Sequence, residues 1–247
     1  MPHQYTHCLQ LRNIPINKMQ IYKGEIIASC EICSKAGIVI CDKCALKNKL
    51  LDRYIDANIP IDFWRKSRND FYGDPNLIKL YDEITNDVDE FFKSGKSLFL
   101  KGMHGVGKTL FASLVLKKIV EKGFSGLYST LSDIVATIVG ADYKARFEAG
   151  RELKMVDFLI IDEFDPRFFG NDNSAELFGR ILEALIRIRF QNYMPTILIT
   201  NNMANINRAL GDALGASIDS LLSGYCREVF ITGADYRKTP AMQNRTL

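Results

Sequence analysis

Eight consecutive residues, Gly102-Met103-His104-Gly105-Val106-Gly107-Lys108-Thr109, have the types and spacing needed to hold a polyphosphate. Glycines let such a loop curl until its backbone N–H groups converge on phosphate oxygens. A helix starting at its end adds the positive end of a dipole. Lys108 can reach β- and γ-phosphate oxygens, and the Thr109 hydroxyl can ligate Mg²⁺. The candidate phosphate-binding set is therefore Gly102, Gly105, Val106, Gly107, Lys108, Thr109 and Leu110. The flanks supply what the loop needs: an apolar run before it, Ser97–Lys101, and a helical pattern after it from Leu110.

Two further strand-like runs end in groups that could act on the same ligand. Phe158-Leu159-Ile160-Ile161 leads into Asp162 and Glu163. Adjacent carboxylates after a buried run are costly unless they emerge at a polar site. Asp162 can hold Mg²⁺ through its bound shell, and Glu163 suits a base that orients or deprotonates an attacking water. Pro195-Thr196-Ile197-Leu198-Ile199-Thr200 ends in Asn201 and Asn202, whose amides can donate to a phosphate and accept from water. Of the two, Asn201 is the first candidate to sense the nucleotide. These three strand ends describe an ATPase with an extra strand between its phosphate loop and its acidic strand.

A separate chemistry is written in the cysteines. Four of the six lie in two pairs, Cys30-x-x-Cys33 and Cys41-x-x-Cys44. Each pair can form a tight knuckle, and four thiolates suit one tetrahedral Zn²⁺ with no open position for catalysis. Lys35 to Ile40 would make the hairpin between them, and Lys35 and Lys43 suit the net negative charge of such a centre. Disulfides or free thiols are the alternative reading, disfavoured where no secretion signal precedes the cysteines. His3, His7 and Cys8 are further candidate ligands.

The 247 residues suffice for one well-buried α/β domain with an appendage, and 47% hydrophobic with 25% charged residues is ordinary for a globular protein. No segment approaches the ~18 apolar residues of a membrane span, and Met1–Cys8 lacks the pattern of a signal peptide, so a cytoplasmic setting is expected. Residues 1–66 carry ten Lys/Arg against six Asp/Glu, a weakly basic head that does not by itself identify a partner. Gln20–Ala28 reads as a strand and Ala45–Asn58 as a helix. Pro60 breaks that helix, and the stretch to Pro75 is a linker that lays Phe63, Trp64, Phe71 and Tyr72 on the next domain.

From Asn76 the pattern alternates. Leu77–Lys93 reads as one amphipathic helix, strands are expected at 97–100, 126–129, 158–161, 195–200 and 228–232, and helices at 109–122, 131–153, 174–190 and about 203–223. Alternation of this kind predicts a parallel sheet covered on both faces, with ligands at the carboxyl ends of the strands. The expected organisation is a zinc-binding unit over 1–58, a linker over 59–75 and a nucleotide-binding domain over 76–247.

With these residues in view, the chain resembles the AAA+ superfamily, and within it the DnaC/DnaI-type helicase loaders and their IstB relatives. The likeness covers roughly residues 30–240. It rests on the paired cysteines, the linker Arg53–Phe63, the phosphate loop, Leu159–Glu163, Ile199–Met203 and Ala234-Asp235-Tyr236-Arg237. The resemblance implies a P-loop AAA+ fold with a five-stranded parallel sheet, helices on both faces and little or no lid. It implies use of ATP and Mg²⁺, self-association, and delivery of a replicative helicase to single-stranded DNA. It also implies that Arg237 approaches the nucleotide from the C-terminal side and that the cysteine unit grips the helicase, with no role for a membrane. On the same resemblance the unit over 1–58 is also partner-binding, and 76–247 is an AAA+ ATPase domain.

One departure alters the expected activity. Where the family has an arginine that enters a neighbouring subunit's site, this chain has Asp219-Ser220-Leu221. An arginine finger can be worth 10³–10⁵ in rate in GTPases, so weak hydrolysis without a partner is expected. Arg227 and Arg208 are possible substitutes. Alternatives to a loader are an IstB/TnsC-like transposition helper, against which the cysteine unit weighs because the IstB-like helpers generally lack it, and a weakly hydrolysing, ATP-gated adaptor. Lys144, Arg146, Arg151 and Lys154 fall in 131–153 and just beyond it, the pair of helices that initiator-type members set against DNA. Tyr143 and Phe147 either stack on bases from there or, with Leu153, turn inward. Arg180, Arg187 and Arg189 flank an apolar helix and are expected at the surface or a subunit interface.

Overall fold

The computed structural model describes residues 14–36, 40–71, 74–140, 142–165, 173–201 and 212–238, with only the backbone at 36, 173–178, 212–213 and 237. Five strands form one parallel sheet: β1 Ser97–Gly102, β2 Gly126–Thr130, β3 Phe158–Asp162, β4 Thr196–Thr200 and β5 Cys226–Ile231. Their order is β2-β3-β4-β1-β5. The acidic strand β3 is thus separated from the loop-bearing strand β1 by β4, the extra strand expected from the sequence.

Period two along each strand assigns its side chains to opposite faces. Leu98, Leu100, Tyr128, Ile160, Ile197, Ile199 and Ile231 enter one core, and Phe99, Leu127, Leu159, Ile161 and Leu198 the other. The first face is covered by α3 Asp42–Asp56, α4 Pro75–Asn86, α5 Val88–Ser94 and α6 Lys108–Lys122. The second is covered by α7 Leu131–Gly140, α8 Tyr143–Met155, α9 Asn173–Gln191 and α10 Asp212–Tyr225. β1 to β4 are therefore removed from water on both faces, which is why they read as continuous apolar runs, whereas the edge strand β5 leaves Arg227, Glu228 and Phe230 exposed.

Several local expectations are corrected. Gln20–Ala28 is not a strand but part of helix α1, Ile16–Ala28. Its Met19, Tyr22 and Ile26 recur at helical spacing and pack on the first core. The single helix expected over Leu77–Lys93 is broken at Asp87, which leaves the helical region at φ −139° and ψ 80°. Its carboxylate accepts the Glu90 N–H at 2.9 Å and so starts α5 as an N-cap. Arg189 is wholly buried, not at a surface. Between the cysteine pairs, Cys33–Ala36 is one helical turn, α2, and not the arm of a hairpin. His3, His7, Cys8, Tyr72, Asn202 and Arg208 lie outside the described residues.

The chain before the sheet is tied to it by backbone groups. Tyr128 N–H donates to the Ala57 carbonyl at 2.8 Å, and the Asn58 amide donates to the Tyr128 carbonyl at 2.9 Å, so this turn closes the free edge of β2. Arg53 caps the last turn of α6 by donating to the carbonyls of Val120 and Glu121, both at 2.9 Å. The buried Lys117 ammonium donates to the carbonyls of Phe63 at 3.1 Å, Trp64 at 2.8 Å and Lys66 at 2.5 Å, fastening the linker to the helix that follows the phosphate loop.

Candidate nucleotide and metal sites

β1 delivers the chain to its carboxyl end, where Gly105 and Gly107 take φ of 77° and 93°, the left-handed region open to glycine. α6 begins at Lys108 with Gly107 as its cap, so the first N–H groups of a 15-residue helix face the loop. Both turns are also sterically closed to a side chain. A Cβ on Gly105 would lie 1.7 Å from the Asp235 carboxylate, and one on Gly107 would lie 3.0 Å from the Phe71 ring. Phe71 belongs to the linker and is buried. Asp235 belongs to the segment after β5, and Tyr236 N–H donates to the Gly105 carbonyl at 3.0 Å. The loop is thereby braced from both ends of the chain.

Lys108 is 4% exposed, and its ammonium donates to the carbonyls of Gly102 at 2.8 Å and Met103 at 2.6 Å. A buried cation beside converging N–H groups is costly unless an anion accompanies it, and a polyphosphate supplies one. The Thr109 hydroxyl donates to Asp162 Oδ2 at 2.8 Å, which joins the loop to the acidic strand and leaves its oxygen lone pairs open to a cation. These groups fit Mg²⁺ with a triphosphate. Asp162 is buried, and its Oδ1 accepts the Glu163 N–H at 2.7 Å. Glu163 itself has φ of 53°, a left-handed conformation that a non-glycine residue adopts at a cost, and its side chain is exposed at the strand end.

Of the other sequence-predicted residues, Val106 is buried and Leu110 half-buried in the loop and first helical turn. Asn201 stands at the carboxyl end of β4, between the strands that carry the loop and Asp162. Arg237 lies in the turn Tyr236–Lys238, directly after the residues that contact Gly105, and its side chain is outside the described residues. Sequence reasoning missed Tyr128 and Lys117, and it gave Asp235 no role of its own within the motif Ala234–Arg237. The Tyr128 hydroxyl donates to Asp162 Oδ2 at 2.8 Å, and burial followed by the Asp162 charge pushes its pKa upward, so it remains a donor. A tyrosine on the strand beside the acidic one, two positions short of it in register, was the available signal.

The four paired cysteines form the second site. Their Sγ atoms all lie within 4.8 Å of one another, with Cys30 and Cys41 at 3.7 Å. A disulfide needs about 2.05 Å, whereas four thiolates around one Zn²⁺ at about 2.3 Å sit roughly 3.8 Å apart. The spacing fits the metal. Backbone N–H groups of Cys33 and Ile32 hold the Cys30 thiol down to about 6, and burial pushes Cys44 up to about 12. A site whose thiols differ this much still suits a cation that would deprotonate all four.

A third feature is the outward face of α8. Tyr143 is 82% and Phe147 62% exposed, so neither turns inward, while Leu153 is buried. Lys144, Arg146, Arg151 and Lys154 are exposed on the same helix. Helical spacing sets Tyr143, Phe147, Arg151 and Lys154 on one side.

Residues 98–220 match the ATPase family associated with various cellular activities, AAA. A putative ATP-binding protein of insertion sequence IS21 from Pseudomonas aeruginosa is 29% identical over 153 residues, covering 60% of this chain and 54% of that protein. The replicative helicase loader DnaC of Escherichia coli K12 is 24% identical over 159 residues, covering 60% of this chain and 63% of that one. The chain thus spans less than two thirds of either relative. A crystal structure of DnaI superposes with a TM-score of 0.59 at 20% identity, covering 70% of this chain and 94% of that chain, which shows a shared fold. The chain belongs to the AAA family of P-loop ATPases, among the relatives of the DnaC/DnaI helicase loaders and the IstB-like ATP-binding proteins.

Proposed function

We propose that this chain is an ATP-dependent loader that self-associates and delivers a replicative helicase to single-stranded DNA. In this reading Gly102–Leu110 bind the triphosphate and Lys108 neutralises its β- and γ-oxygens. Thr109 ligates Mg²⁺, and Asp162 holds that metal. Glu163 orients the attacking water. Asn201 senses the γ-phosphate from β4, and Arg237 does so from the segment that braces Gly105. The cysteine unit binds Zn²⁺ through Cys30, Cys33, Cys41 and Cys44 and serves as a structural platform for the helicase.

The observation that carries the proposal is the solvent-facing combination of Tyr143 and Phe147 with basic residues on α8. Aromatic rings at 82% and 62% exposure offer stacking faces to unpaired bases, and the cations beside them track a phosphate backbone. Binding of a labelled single-stranded oligonucleotide tests this. Affinity should rise with Mg-ATP and fall steeply with salt, and salt-independent binding or none would refute it.

A second reading has its own observation. Ser220 is exposed on α10, where the family carries an arginine, so hydrolysis needs a partner that supplies one. On that reading the chain is an ATP-gated adaptor on the same DNA. The closeness of the insertion-sequence protein keeps a transposition helper as the third, and the cysteine unit weighs against it.

A further inference from the structure

The hydrogen bonds around Asp162 carry an inference that rests on the reading of Thr109 and Asp162 as the Mg²⁺ holders. A carboxylate has about four lone-pair sites. Here Oδ2 accepts two hydroxyls, Thr109 at 2.8 Å and Tyr128 at 2.8 Å, and Oδ1 accepts the Glu163 N–H at 2.7 Å. Asp162 is 4% exposed and Tyr128 9%, so water does not compete for these positions. Thr109 sits on the phosphate loop and donates through its hydrogen, which leaves its oxygen free for a cation. Tyr128 comes from β2, on the far side of β3 from the loop, and has no other part in the site.

We propose that Tyr128 is a positioning residue for the metal half of the site. Its hydroxyl, donating to Asp162 Oδ2 beside that of Thr109, fixes the orientation in which the carboxylate would hold Mg²⁺ together with the Thr109 oxygen. Mg²⁺ demands near-ideal octahedral geometry, whereas Ca²⁺ accepts flexible arrangements of oxygens. An aspartate locked in this way favours Mg²⁺, and one freed from Tyr128 loses that preference.

The test uses the full chain and Tyr128→Phe, which keeps the ring in the core. Binding of a fluorescent N-methylanthraniloyl ATP is titrated with Mg²⁺, with Ca²⁺, and in EDTA. Loss of a hydrogen-bond partner of a metal-holding residue typically costs 10–100-fold in metal affinity. The half-saturating Mg²⁺ concentration should rise roughly tenfold in the variant, the Ca²⁺ requirement should rise less, and binding in EDTA should stay at the wild-type level. Superposed Mg²⁺ curves would overturn the proposal. So would an equal loss with Mg²⁺ and in EDTA, which would make Tyr128 a packing residue only. If the wild type binds nucleotide equally well with and without Mg²⁺, the assignment of Thr109 and Asp162 fails first. The rise in melting temperature on replacing EDTA by Mg²⁺ in the presence of ATP reads the same difference without a fluorophore.

Discussion

Arg189 offers the most direct test of how the sheet is held in register. It sits near the end of α9, is fully buried, and reaches across the starts of two strands. Its guanidinium donates to Thr196 Oγ1 at 2.9 Å and to the carbonyls of Leu153 at 2.9 Å, Val156 at 2.8 Å and Pro195 at 2.9 Å. Val156 precedes β3 and Pro195 precedes β4, the strands that deliver Asp162 and Asn201. Arg189→Leu would strand the carbonyls of Leu153 and Val156, while that of Pro195 keeps the Leu159 N–H at 3.2 Å. Each stranded buried acceptor costs about 1–3 kcal/mol, and the relief of a buried charge offsets part of the sum. The net expectation is about 2–4 kcal/mol. For a chain of this size that lowers the melting temperature by roughly 2–4 °C per kcal/mol, or about 10 °C. Arg189→Lys should recover little, because an ammonium cannot span the same fork. Thermal and urea unfolding of the three proteins decide it. A shift under about 2 °C for Arg189→Leu would mean that the carbonyls find water and that the arginine is incidental.

Other perturbations separate the remaining parts. Gly105→Ala should weaken nucleotide binding by more than tenfold by isothermal titration, since the new Cβ meets Asp235 at 1.7 Å, and the strain at φ 77° should also lower the melting temperature of the nucleotide-free protein by a few degrees. Tyr143→Ala with Phe147→Ala should weaken single-stranded DNA binding by about 1–3 kcal/mol per ring without changing ATP affinity, as read by anisotropy. Metal analysis should find one zinc per chain, and Cys41→Ser should lose it together with part of the helical circular dichroism of residues 16–56. Burial holds the Lys117 pKa at about 8 against 10.5 for the free group. The unfolded chain therefore binds more protons between those values, and stability should gain with rising pH across that window. Lys117→Met should abolish that gain in urea midpoints measured from pH 7.5 to 10.

The strands and their functional ends were legible because each is a continuous apolar run that stops abruptly at a polar residue: the glycine loop, Asp162 or Asn201. Residues that bond to backbone carbonyls were not. Lys117 and Arg189 look like ordinary charges on amphipathic helices, and only the fold reveals the carbonyls that turn them inward. Tyr128 looked like one more apolar strand residue, and its partner lies 34 positions away. Helix α1 was not legible because the contacts that decide it, those of Met19, Tyr22 and Ile26 with the first core, are tertiary. The break at Asp87 had a signal in the Asp87-x-x-Glu90 spacing, a helix start inside a longer apolar pattern.

A loader of this kind must assemble on single-stranded DNA when it holds nucleotide. ATP turnover by the purified chain, alone and with single-stranded DNA, together with light scattering on the same samples, tests it most directly. The expected result is DNA-stimulated turnover from an oligomer, with Glu163→Gln trapping the ATP-bound assembly. A monomer whose ATP binding and negligible turnover are both unchanged by DNA would contradict it.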